Sequence, residues 1–440
     1  MAQKKVGICL LGCGTVGGGV VNVLTEQHEM LRRRTGIDFQ IVHVVVKGQE
    51  DYPPDAKTLP MGTDAAAAID DPQTDIVVEL IGGTGVAGVF VERALKLGKP
   101  VVTANKALLA VRGTELFALA RAKKTCIGFE ASAGGGIPII DALCRGLAAN
   151  RIDALLGIVN GTCNFILTKM TQNGWSYEQA LGEAQKLGFA EANPAMDVQG
   201  RDAAQKLAIL AGLSFNVRIA ESDIHIEGID TLDAQDIAYA GELGYVIKLL
   251  VIAQRMKNDA VSLRVHPTLV HKDEMLADVS GSFNAISVFS HALGHALWYG
   301  RGAGRMPTAS AVVADLISVA QGLQGLLFEQ MNVFMDKVPA AEVLPFDQLV
   351  SRYYIRLSAK DQPGVLAQVT AILGRHHISV SAINQHEGGE NRSVAVVITT
   401  HQAIEGEVQA AIKEIDVLAV ISSPTVCLRI IDMPVEFANP

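Results

Sequence analysis

KVGICLLGCGTVGGGVVNVL, Lys5 to Leu24, decides the fold. Lys5 to Leu11 reads as a short apolar strand. Gly12-Cys13-Gly14-Thr15-Val16-Gly17 follows at once, and a helix is predicted over Gly18 to Leu31. This is G-x-G-x-x-G in the strand–turn–helix setting that the motif requires. The first glycine makes the tight turn, the second lets a pyrophosphate approach the backbone, and the third lets helix and strand pack closely. The helix N-terminus adds free amides and the positive end of its dipole. Gly12, Cys13, Gly14, Thr15, Val16 and Gly17 are therefore the expected dinucleotide-binding residues.

Working outward, a second strand is predicted over Gln40 to Val46, and the next residue is Lys47. A cation there attracts a 2′-phosphate rather than a 2′-hydroxyl, so NADP is expected ahead of NAD. Strands over Asp75 to Ile81 and Pro100 to Thr103 alternate with helices over Ala87 to Leu97 and Ala107 to Ala120. In open parallel sheets, ligands bind outside the carboxyl ends of the strands. Gly82, Thr103 and Lys106 fall there. Glu130 precedes the run Gly134-Gly135-Gly136, which is either an oxygen-rich place for a hard cation or a hinge.

At 440 residues the chain suggests about three domains. Hydrophobic content is 49% against 19% charged, so a core is easily built. The net charge of −9 is scattered, with no basic stripe, so no nucleic-acid partner is expected. The six cysteines show no paired metal spacing and read as reduced thiols of a cytoplasmic protein. No apolar run is long enough to span a bilayer, so no membrane association is expected.

The middle of the chain has no nucleotide motif of its own. A strand over Ile152 to Val159 leads into Asn160-Gly161-Thr162, a polar loop, and a helix over Phe165 to Gln172. The stretch Leu187 to Leu210 then places Glu191 and Asp197 on a loop, and Asp202 and Lys206 four apart on one face of a helix. Taken alone, that pair is either a surface ion pair or an acid–base couple. Ile237 to Ala253 reads as a long apolar helix. The C-terminal part shows the order βαββαβ, with a hairpin turn at Gly388-Gly389, which is the ferredoxin-like arrangement. The expected boundaries are 1–132 for the dinucleotide domain, 133–325 for a substrate and dimerisation domain, 326–351 for a linker and 352–430 for the last domain.

The ordered set GCGTVG, IGGT, TANKALLA, FEASAGGGIPI, NGTCNFILTKM, GFAEANPAMDVQGRDAAQKLAIL and YGRGAGRMPTASAVV resembles homoserine dehydrogenases of the monofunctional bacterial type, over about residues 5 to 325. The tail, with Asp361-Gln362-Pro363-Gly364, resembles an ACT domain. The resemblance implies an α/β fold: a Rossmann-like domain, an α+β substrate and dimerisation domain, and a ferredoxin-like ACT domain. It implies NAD(P)-dependent interconversion of L-aspartate 4-semialdehyde and L-homoserine, in threonine and methionine biosynthesis. It places the catalytic lysine on Lys206 with Asp202 as its partner, and substrate contacts on Glu191, Asp197, Lys106 and the Asn160-Gly161-Thr162 loop. Thr103 and Lys106 lie beside the cofactor. A sodium site falls on Glu130, Ala133, Gly135 and Ile137, through the carboxylate and backbone carbonyls. L-Threonine is the expected effector, at Asp361, Gly364 and Asn384, and truncation after about Ala341 should remove inhibition but leave activity. A homodimer or homotetramer is expected. Cys163, Asn193, Arg201, Gly85-Val86 and Lys47 depart from the family's usual residues. The competing readings are a dehydrogenase acting at a C–N bond, separable by assay, and a non-catalytic NADP and amino-acid sensor, which has no need of Asp202 and Lys206.

Overall fold

The computed structural model describes residues 4–48, 59–385 and 393–434, so the expected Gly388-Gly389 turn lies outside the described residues. In chain order the first elements are β1 (Lys4–Leu11), α1 (Thr15–Glu26), α2 (His28–Thr35), β2 (Ile37–Val45), β3 (Met61–Gly62), α3 (Ala65–Asp70), β4 (Ile76–Glu79), α4 (Val86–Lys96), β5 (Val101–Thr103), α5 (Lys106–Ala122) and β6 (Ile127–Gly128). Then come α6 (Ile139–Asp141), β7 (Ile152–Ile158), α7 (Gly161–Asn173), α8 (Tyr177–Lys186), α9 (Ala195–Val198), α10 (Arg201–Phe215), β8 (His225–Ile226), α11 (Ala234–Glu242), β9 (Tyr245–Arg255) and β10 (Val261–His271). The rest is β11 (Phe283–Ser290), β12 (Gly294–Arg301), α12 (Arg305–Ala320), α13 (Leu323–Gln330), β13 (Val350–Lys360), α14 (Val365–Arg375), β14 (Val380–Gln385), β15 (Ser393–Thr400), β16 (Ala403–Ile404), α15 (Glu405–Asp416) and β17 (Ile421–Ile430).

Two compact units result. One holds residues 1–155, 202–223 and 283–341, the other 156–201, 224–282 and 342–440. The chain crosses between them within β7 and again at the start of α10.

The first unit contains a six-stranded sheet in the order β3-β2-β1-β4-β5-β6, parallel throughout. This is the doubly wound dinucleotide-binding order, with its reversal between β1 and β4. Val6–Leu11, Ile76–Glu79 and Val101–Thr103 are buried at every position, as strands covered on both faces must be. α1 packs on α12 so closely that a Cβ on Gly19 would stand 2.6 Å from the Arg305 carbonyl oxygen. Phe117, Phe129, Phe328 and Phe334 form an aromatic cluster, with Phe117 edge-on to Phe129 at 5.3 Å.

The second unit is built on strands in the order β9-β10-β17-β13-β15-β14. The long helix expected over Ile237 to Ala253 is not there. α11 ends at Glu242, Gly244 takes φ +82, and Tyr245–Arg255 is a strand. Ile247 to Ala253 is buried at every position, so no period-2 alternation marks it, and an apolar run of this kind does not distinguish strand from helix. Lys248, 3% exposed, is accommodated by donating to the Val279 carbonyl at 2.6 Å. The C-terminal strands follow the ferredoxin-like order β17-β13-β15-β14, with Ile355, Leu357, Val369, Leu373, Val408 and Ile415 in the core. β17 also pairs in parallel with β10, through Thr268–Arg429 and Leu269–Ile430. Among the described residues no single helix is long and apolar enough to cross a membrane.

Candidate active site

The glycine loop has the properties that its sequence predicts. Gly12 sits at φ +96, and a Cβ there would meet Leu80 at 2.8 Å. A Cβ on Gly17 would lie 2.2 Å from the Gly12 carbonyl oxygen. A Cβ on Gly14 would meet nothing within 4 Å. The first and third glycines are thus required by packing, whereas the second opens onto space. Gly14 is also the N-cap of α1 and offers no side-chain cap, so the first-turn amides have no side-chain acceptor there. These features fit a dinucleotide pyrophosphate. Arg305, which the sequence reading missed, stands beside the loop: its Nη2 would be 3.2 Å from a Cβ on Gly18. Lys47 is exposed just past β2.

A second omission is Glu79, fully buried at the carboxyl end of β4. Its Oε1 accepts from the amides of Ile81 and Gly82, both at 2.9 Å, and its Oε2 from the Thr103 hydroxyl at 2.7 Å. Thr103 in turn accepts from the Asn105 amide, and Asn105 donates to the Gly83 carbonyl while capping α5 at Leu108. The loop that carries Gly82 is therefore pinned to the loop that carries Lys106. The signal was an acid at the end of the apolar run IVVE.

Lys106, Asp202 and Lys206 come together within the first unit. Lys206 Nζ donates to Asp202 Oδ2 at 2.7 Å, and Lys106 Nζ lies 3.1 Å from Asp202 Oδ1. The side chains of Lys206 and Asp202 are only 12% and 13% exposed, against 30% for Lys106. This is no solvated surface pair. One carboxylate fixes two ammonium groups in a half-buried site, where charge acts over a lower dielectric than in water.

In the second unit, Asn160 caps α7 by accepting from the Cys163 amide at 2.8 Å, and its Nδ2 donates to Asp197 Oδ1 at 2.7 Å. α7 therefore begins at Gly161 rather than Phe165, and Gly161 and Thr162 are its first turn. The Thr162 hydroxyl donates to the Phe189 carbonyl at 2.6 Å. Both side chains hold the 187–200 segment in place. Glu191 is exposed on that segment.

Glu130 is 7% exposed. Its carboxylate accepts from the amides of Ile140 and Asp141, at 2.9 and 2.7 Å, and burial pushes its pKa up to about 7. Its own amide donates to the buried Asp315 carboxylate. Gly134 and Gly135 take φ +79 and +58. The carboxylate is thus turned to the two amides at the start of α6. Among the described residues no group of three or more His, Cys, Asp or Glu is placed to hold a metal ion.

In the C-terminal domain a cavity of about 430 Å³ is lined by Asp361, Gln362, Gly364, Leu366 and Gln385, among others. Asp361 and Gly364 are thus brought together. Asn384 is exposed on β14 and is not in the lining; its neighbour Gln385 is, as strand alternation requires.

Comparison with known proteins points to a single family. The family model described as homoserine dehydrogenase matches residues 138–317, that for the homoserine dehydrogenase NAD binding domain matches 12–130, and that for the ACT domain matches 353–418. The homoserine dehydrogenase of Pseudomonas aeruginosa is 43% identical over 439 residues, 98% of this chain and 99% of that protein. The crystal structure of a homoserine dehydrogenase from Thiobacillus denitrificans superposes with a TM-score of 0.92 at 44% identity, covering 98% of this chain and 99% of that one. A hyperthermophilic archaeal homoserine dehydrogenase in complex with NADPH matches with a TM-score of 0.61 at 26% identity, over 72% of this chain and 98% of that one.

Proposed function

The chain belongs to the homoserine dehydrogenase family, and from that premise we propose that it interconverts L-aspartate 4-semialdehyde and L-homoserine with NADP in preference to NAD, serving threonine and methionine biosynthesis in the cytoplasm. The observation that carries this reading is the Lys106–Asp202–Lys206 arrangement, with its 2.7 and 3.1 Å contacts. Lys47 favours the phosphorylated cofactor, and the archaeal relative's NADPH complex supports the same choice.

The cofactor, when bound, supplies or accepts the hydride. Glu191 and Asp197 hold the substrate ammonium, with Asn160 keeping Asp197 in place. Lys206 stabilises the alkoxide that grows on the aldehyde oxygen and gives it a proton. Asp202 orients Lys206, and Lys106 offsets negative charge beside the reacting centre. Arg305 and the α1 N-terminus attract the pyrophosphate. A sodium ion, when bound, would be held by the loop of Glu130, Ala133, Gly135 and Ile137, through the carboxylate and backbone carbonyls, and would supply a fixed positive charge there. L-Threonine binds the ACT domain at Asp361 and Gly364, and the enzyme works as a homodimer or homotetramer.

Steady-state assays of homoserine oxidation with NADP and NAD, with and without sodium and L-threonine, test this reading. Turnover with NADP, inhibited by threonine, is expected. Turnover with amino-acid deamination instead would overturn it.

A further inference from the structure

Arg429, on β17, is 3% exposed and serves two carboxylates at once. It is bidentate to Glu405, with Nε–Oε2 and Nη2–Oε1 both at 2.7 Å, and its Nη1 donates to Glu227 Oε2 at 2.8 Å. Glu405 opens α15 of the C-terminal domain and also accepts from the Tyr353 hydroxyl at 3.0 Å. Glu227 lies two residues past His225, whose ring nitrogen contacts Glu227 Oε1 at 2.7 Å. The ring of Phe346 stacks on His225 at 3.4 Å and lies under the Arg429 guanidinium at 4.7 Å. Burial works against the Glu227 carboxylate, but His225 and Arg429 overcome it and hold its pKa well below the usual range.

Glu227 also begins a strap that carries the substrate loop. Its amide donates to Val265, and the amide of Ile229 donates to the Val198 carbonyl at 2.7 Å. Between them, a Cβ on Gly228 would lie 2.4 Å from the Val198 oxygen and 2.7 Å from Gln199 Cα. A Cβ on Gly200 would lie 3.3 Å from the Glu227 carbonyl oxygen. Strap and loop meet backbone to backbone, with no room for a side chain between them. Asp197 immediately precedes Val198 in the short helix α9, where the sequence suggests a loop.

We propose that Glu227 is a positioning residue: gripped by Arg429 of the last ACT-domain strand, it fixes the Val198–Gly200 turn and hence Asp197, so the state of the ACT domain is felt at the substrate loop. This rests on the substrate and effector roles given above to Asp197 and the ACT domain. Another ion pair reaching out from the ACT domain, Arg356 to Asp236 at 2.6 and 2.8 Å, ends on α11 and makes a natural control.

The test is hydrogen exchange and kinetics on the full-length Glu227→Gln variant, which keeps the shape and a hydrogen bond but loses the charge. Exchange at the Ile229 amide should quicken by about tenfold or more, by local opening of the strap. The KM for homoserine should rise about five- to tenfold, with kcat and the NADP Kd within about twofold. Asp236→Asn should leave Ile229 exchange and KM as in the wild type, even with a lowered Tm. Wild-type exchange and KM in Glu227→Gln would overturn the proposal, as would the same loosening in Asp236→Asn. Faster exchange with an unchanged KM would sustain the coupling and remove Asp197 from the substrate site. Absence of threonine inhibition in the wild type would remove the effector assignment alone, because the exchange result does not depend on it.

Discussion

Lys106 Nζ and Asp202 Oδ1 lie 3.1 Å apart, although α5 and α10 are not neighbours in the chain. Asp202 is thereby shared between two lysines rather than dedicated to one.

The two lysines are predicted to be unequal. Lys206 is the more buried and is set on Asp202 at 2.7 Å, so Lys206→Ala should lower kcat by at least about 10²-fold, the lower end for general acid catalysis. Lys106→Met should cost about tenfold, as loss of a single electrostatic contact. Asp202→Asn should fall in the same direction as Lys206→Ala. Wild-type-like turnover in Lys206→Ala, with NADP bound normally, would remove the assignment.

The glycines of the loop should separate folding from binding. Gly14→Ala places its methyl in open space, so thermal stability should hold while the NADP Kd rises by about tenfold or more, as an obstructed approach to the backbone implies. Gly17→Ala drives a methyl to 2.2 Å from the Gly12 oxygen and should cost about 1–3 kcal/mol of stability. Thermal shift with cofactor titration distinguishes the two.

Buried Lys248 makes part of the stability pH-dependent. Burial brings its pKa down to about 8 from 10.5. Between those values the unfolded chain binds a proton that the folded chain does not, so stability rises with pH there and is lost as pH falls through about 8. At about 1.4 kcal/mol per unit of displacement, the whole interval is of order 3 kcal/mol. The difference in stability between wild type and Lys248→Met, measured by denaturant melts from pH 7 to 10.5, should shift by that amount. A flat difference would show that the lysine titrates normally.

The effector cavity should respond to Asp361 and not to Asn384. Asp361→Asn is expected to raise the threonine concentration for half-inhibition by about tenfold, the size of a charged hydrogen bond, while basal kcat/KM stays put. Asn384→Ala should shift it by less than about twofold within the same scale. Equal effects would place the effector elsewhere.

The dinucleotide domain was legible because its signals are local. A glycine pattern and the strand before it fix the turn, and Gly12 and Gly17 prove to be packed as the pattern demands. Lys206 and Asp202 were legible as neighbours because four residues make one helical turn. Lys106 beside Asp202 was not, since nothing local records which distant helix supplies the second cation. Tyr245–Arg255 was misread because a fully buried strand loses the alternation that would identify it. Glu227 and Arg429 were invisible for the same reason as Lys106: each is an ordinary charged residue until the fold pairs them.

β17 sits between β10 and β13, yet residues 421–430 are synthesised after every strand they join. Until they emerge from the ribosome, β10 is left with a bare edge of unpaired amides and carbonyls along Thr268 and Leu269, open to another chain. Cutting the chain near Ala341 makes that interval permanent. Such a fragment would be expected to lose solubility before it reports on inhibition, and a point substitution in the effector cavity is the cleaner way to silence regulation.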